Sequence, residues 1–128
     1  MRTWAAAICV AMCGCMSVAE LRETEPVHVD SLRGDYALVA ECIAAQIDAQ
    51  EGMPPVLRID RPARVGHVFR TVSSTAVYDI EVRQAGEQVA VIGRGMSTIH
   101  GRAWHVDVVW PAVGRCHGQN SPGAVVGS

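Results

Sequence analysis

His100, His105 and Asp107 are the side chains of this sequence whose types could bind a metal or move a proton. Imidazole and carboxylate suit zinc or copper, and His67 adds a further nitrogen ligand if the fold brings it near. Read as a strand, Trp104 to Trp110 places His105 and Asp107 on one face. A metal centre needs three or four converging ligands, and nothing in this spacing enforces convergence. Alternating polar residues on a strand ordinarily form its solvated face. His105 with Asp107 also has the makings of an acid–base pair, but such a pair needs a reacting group within hydrogen-bond reach, and the sequence names none.

The motif search ends the same way. Gly95-Met-Ser97-Thr-Ile99 has Ile where a nucleophile elbow requires its second Gly. Gly93-Arg-Gly95 opens like a dinucleotide loop but lacks the third Gly and a surrounding βαβ unit. There is no His-Glu-x-x-His. The expectation is a non-enzymatic chain without a metal or cofactor. A net charge of −2, with eleven scattered Arg and no Lys, also speaks against nucleic acid, which calls for a basic stripe.

The elements that would position these residues are legible in part. Ser31 or Asp35 can cap a helix in which Tyr36, Val39, Ala40, Ile43 and Ile47 recur at helical spacing, and Gly52 with Pro54-Pro55 stops it. Cys42 lies beside that apolar stripe. Tyr78-Asp-Ile-Glu-Val-Arg83 alternates, so Tyr78, Ile80 and Val82 face a core while Asp79, Glu81 and Arg83 face water. Gln84 to Glu87 reads as a hairpin connection into 88–92, a strand apolar on both faces and hence central. Further strands are expected at 56–60, 65–72 and 104–110. Pro111 can open a short final helix reaching Cys116. The fold class is α+β: one long N-terminal helix packed on an antiparallel sheet of about four to five strands, covered on one face, with a short C-terminal helix.

The first fifteen residues state an address. Arg2 precedes a short apolar run, Trp4 to Met12, which gives way to Cys13-Gly14-Cys15 and then polar sequence, the three-part layout of a secretory signal. The run is about half the roughly 20 residues of a membrane-spanning helix. Met12-Cys13-Gly14-Cys15 resembles the lipobox of bacterial lipoproteins, with Met12 where Leu is usual and Cys13 where Ala or Ser is usual. The resemblance implies that Cys15 becomes the acylated first residue, anchored in the bilayer by chains that contribute about 0.8 kcal/mol per buried CH₂. Met16 in the following position, rather than Asp, implies the outer membrane. Asp35 to Cys42, and Trp104 with Trp110 to Cys116, resemble small proteobacterial lipoproteins of uncharacterised function. That resemblance implies a fold and a location and carries no catalytic residues.

With Cys9 and Cys13 leaving in the signal and Cys15 acylated, Cys42 and Cys116 remain. Two cysteines in an oxidising periplasm are expected to form one disulfide. The domain plan is a signal at 1–14, a tether at 15–30, an α+β domain at 31–116 and a disordered tail at 117–128. The expected role is that of a periplasm-facing, membrane-anchored structural or protein-interaction module, bound to the bilayer through Cys15 and in contact with an envelope protein partner. A periplasmic lipoprotein that binds a small ligand or a metal is the alternative.

Overall fold

The computed structural model describes residues 16–96 and 104–118. A four-residue helix α1 (Val18–Leu21) and strand β1 (His28–Arg33) precede helix α2 (Tyr36–Glu51). Strands β2 (Val56–Asp60), β3 (Val65–Val72), β4 (Thr75–Ala85) and β5 (Gln88–Gly95) follow, then helices α3 (Trp104–Val109) and α4 (Pro111–Gly114). The strands form one antiparallel sheet in the order β1-β5-β4-β3-β2, so the eleven-residue β4 lies at its centre. The architecture is therefore α+β, as the alternation and the helical stripe predict.

Helix α2 forms where its sequence directs it. Asp35 caps it, its carboxylate accepting from the amides of Ala37 and Leu38 at 3.1 and 3.3 Å. Gly52 ends it at φ 74°, a left-handed conformation that costs a residue without Cβ little, and donates its amide to Asp48. Tyr36, Val39, Ala40, Ile43 and Ile47 are buried against the sheet. The expectation of one long N-terminal helix is corrected: α2 has sixteen residues and follows α1 and β1. Ser31, the other candidate cap, lies within β1 and bonds to Gln88. β1 escapes the sequence pattern because an edge strand here buries a single side chain, Leu32.

The tether over 15–30 is likewise corrected for the residues described. Ser17 caps α1 through its hydroxyl, Leu21 is fully buried over the sheet, and the Met16 carbonyl accepts from the Ala76 amide at 2.8 Å. A segment held by one apolar side chain and by main-chain hydrogen bonds shows no apolar period. At the other end, the Gly118 amide donates to the Arg33 carbonyl, so residues 117 and 118 belong to the folded domain. The rest of the expected tail, 119–128, lies outside the described residues, as do the signal and Cys15.

The expected strand at 104–110 is a helix. The Trp110 amide donates to the Val106 carbonyl, and Val106, Val109, Ala112 and Val113 are buried at three- and four-residue spacings. The β-branched composition favours a strand, but packing of this stripe against β4 and β5 decides the conformation. Pro111 does open a final helix. The interface between helices and sheet is tight. A Cβ on Gly66 would come within 2.8 Å of Ala40, and one on Gly93 within 2.5 Å of the Trp110 ring. These two glycines let α2 and Trp110 approach the strands as closely as backbone permits.

Cys42 on α2 and Cys116 beyond α4 form a disulfide with Cα atoms 5.8 Å apart, 74 residues apart in sequence. It ties α2 to the C-terminal helices across the core. On the chain-entropy account, a loop of this length stabilises the fold by roughly 4 kcal/mol. Replacing both cysteines by Ala is expected to lower the unfolding free energy by about 3–4 kcal/mol, read as a lower urea midpoint with a steeper slope, since the denatured chain without the cross-link is more expanded.

Candidate functional site

β4 carries charged residues where its neighbours on both sides are other strands. Antiparallel pairing sets Phe69 and Arg94 opposite Asp79, and His67 and Ile92 opposite Glu81. All of these lie on the face of the sheet away from α2. Asp79 is fully buried and Glu81 is 8 % exposed. The expectation that Asp79 and Glu81 face water is thereby corrected; of the three, only Arg83 is exposed. The N-terminal segment 16–27 lies over this face and covers the carboxylates.

The charges are matched to one another. Arg22, just after α1, donates its Nε–H to Asp79 Oδ1 at 3.2 Å, and its guanidinium stands 5.3 Å above the Phe69 ring. His67 Nδ1 lies 3.3 Å from the same carboxylate and serves as its second donor in the tautomer protonated there. Glu81 accepts from Arg83 Nε at 3.1 Å and from Arg94 Nη1 at 3.4 Å. Arg94 also donates to the Thr24 carbonyl at 3.0 Å, fastening the covering segment a second time. Two carboxylates among three guanidiniums form a lock between sheet and N-terminal segment. His67 with Asp79 has the geometry of an oriented base, but no hydroxyl or thiol among the described residues hydrogen-bonds to that imidazole.

The histidines and acids singled out in the sequence are not brought together. His67 stands on the outer face with Asp79. Asp107, in α3, lies 2.7 Å from His28 Nε2 and accepts from it in the tautomer protonated there, and His28 stacks on Trp110 at 4.8 Å. His105 packs its ring against Trp104. His100 lies outside the described residues. Among the described residues no group of three His, Cys, Asp or Glu converges in a way that could hold a metal. The Asp79–Glu81 lock was missed because alternation is the same whether charged residues face water or one another. A usable signal was the double-sided apolarity of β5, which makes its neighbour β4 central and requires cover on both faces.

An open cleft of about 660 Å³ lies at one end of the sheet, with Arg33, Arg64 and Glu87 on its rim. The first amides of α2 there are already occupied. Tyr36 donates to Gln84 Oε1, and the Gln84 amide group donates in turn to the carbonyls of Gly34, Gly86 and Gln88. Between α2 and the sheet, Tyr78 presents a buried hydroxyl with no hydrogen-bond partner. Burial pushes its pKa above the ordinary 10.0, and the charge of Arg70, its cross-strand neighbour, offsets part of that rise.

Comparison with protein-family models, with curated proteins and with solved structures finds no match for this chain.

Two outcomes follow from the buried polar groups. Because Tyr78 ionises at higher pH folded than unfolded, the stability it carries is intact below pH 10 and is lost as pH rises through the folded value. Tyr78→Phe is therefore expected to be neutral or stabilising at pH 7 and to flatten the alkaline loss of stability, measured by urea unfolding between pH 8 and 11. Asp79→Ala leaves Arg22 without its partner. Since that guanidinium is 31 % exposed and can turn to water, the expected loss is about 2–3 kcal/mol, below the cost of a fully buried pair. Limited trypsin digestion at Arg22 is expected to accelerate in the same variant.

Proposed function

We propose that this chain is a lipoprotein of the bacterial envelope, held in the outer membrane by acylated Cys15 with its domain facing the periplasm. It acts as a non-enzymatic structural or protein-interaction module. The observation that carries the proposal is the Cys42–Cys116 disulfide, the bond expected of a small domain in an oxidising compartment. It joins the two cysteines left when the N-terminal three are assigned to signal and lipid.

The interaction role is supported by how the interior is used. Gly66 and Gly93 leave no room for even a methyl group between sheet and helices, which disfavours a small ligand held there. The buried charges of the outer face are spent on one another and on the covering segment. Recognition then falls to the exposed surface, and the partner class that fits is another envelope protein.

The intact mass of the protein extracted from membranes tests the reading. The expected mass begins at Cys15, carries acyl chains, and rises by one hydrogen for each of Cys42 and Cys116 on reduction. A mature chain without acyl groups overturns the anchored reading.

A further inference from the structure

The antiparallel sheet has two ends of different chemistry. At one end lie the finish of β1, the β2–β3 turn and the β4–β5 turn. The exposed charged side chains Arg33, Asp60, Arg61, Arg64 and Glu87 lie there, beside the smaller exposed Pro62, Ala63 and Ala85. At the other end lie the starts of β1, β2 and β4 and the finishes of β3 and β5, as the pairings of His28 with Gly93, Tyr78 with Gly95 and Arg70, and Phe69 with Val56 require.

The exposed large apolar side chains among the described residues gather at this second end. Met53 and Val56 stand where β2 begins, and Val72, 58 % exposed, is the last residue of β3. Val27 and Val29 flank the start of β1 at the same end of the sheet, on the opposite edge. α3 is fastened to the same end, since Gln50 at the finish of α2 donates to the Val108 carbonyl and Asp107 meets His28. Trp104 and Val108, one helical turn apart on α3, present their exposed sides together. Single exposed apolar residues are ordinary on a protein surface; their collection at one end opposite a charged end is not.

The first described residue, Met16, stands at this apolar end. The Met16 carbonyl is bonded to the Ala76 amide beside the β3–β4 turn, and Met16, Pro26, Val27 and Met96 line an open, mostly apolar cleft there, with Thr24 and the exposed Glu25 also on its wall. Residue 15 is one peptide link away, about 3.8 Å between Cα atoms. A free tether of fifteen residues would let the domain swing over roughly 20 Å; the docked segment removes that freedom. An anchor one residue away also turns weak surface contacts into intramolecular ones, so a few valines, a methionine and a tryptophan suffice where alone they would not bind. Trp is well suited to a boundary that is apolar on one side and wet on the other.

We propose that the domain rests directly on the lipid bilayer by this end of the sheet, with Met53, Val56, Val72 and Trp104 against the lipid and the charged end directed away from the membrane. The proposal rests on the reading of Cys15 as acylated. The test uses the full chain expressed in a bacterial host, with the mature protein purified from membranes and reconstituted in phospholipid vesicles whose acyl chains are plain or brominated. Trp4 precedes Cys15, so Trp104 and Trp110 are the tryptophans of the mature protein. The expected result is a loss of tryptophan emission in brominated vesicles that is abolished in Trp104→Phe and reduced in Val72→Asp. An acylated protein with equal emission in both vesicles overturns the orientation while leaving the anchor reading intact. So does a loss that persists in Trp104→Phe. A mature chain without acyl groups overturns both.

Discussion

A carboxylate buried in the middle of a sheet is the constraint on which the rest of this structure depends. Asp79 occupies the central strand with no exposed surface, where an unpaired charge is costly by several kcal/mol. Its partner comes from outside the sheet: Arg22 reaches it from the segment that follows α1. The fold is thus not complete as sheet plus α2. The outer face needs residues 16–27, and those residues need Asp79, Glu81 through Arg94, and the main chain of β4 to hold them.

The opposite face obeys a different rule. There the core is mainly aliphatic, built from Val, Ile, Leu and Ala with Tyr36 and Tyr78 as its largest buried members. Small β-branched side chains fill a thin layer only if helices approach closely, and Gly66 and Gly93 set that approach. A domain of about a hundred residues has a modest core, so a covalent tie across it contributes a large share of the net stability. On this face the disulfide joins the first helix, α2, to the chain just beyond the last, α4, across a sequence separation of 74 residues.

What the sequence revealed follows from this division. α2 was legible because cap, stripe and stop agree in one short span: Asp35, then Tyr36 to Ile47, then Gly52. β4 and β5 were legible from alternation and from the apolar run, and the pairing of Cys42 with Cys116 from cysteine arithmetic. The helix at Trp104–Val109 was not, because Val106 and Trp110 satisfy a strand period and a helix period alike, and exposure of Trp104 and Val108 is visible only in three dimensions. α1 and β1 were hidden for another reason. Each buries one leucine, Leu21 or Leu32, and the rest of their attachment is main-chain hydrogen bonding and one arginine, for which sequence carries no periodic trace. The Asp79–Glu81 lock belongs to the same class. Its charges sit at the same positions as a wet face, and only the covering segment distinguishes the two.

The same interaction that neutralises Asp79 also decides how the domain is presented. Had the outer face been solvated, residues 16–27 would be a free linker, and the domain could take any attitude toward whatever holds its N-terminus. Because Arg22 and the Thr24 carbonyl are fixed to β4 and β5, Met16 is fixed to one end of the sheet. Burying a carboxylate in the central strand thereby couples folding to orientation. A change that weakens the Arg22–Asp79 pair loosens the covering segment and the fixed position of Met16 relative to the sheet, even where the core, the disulfide and the strand pairing are untouched.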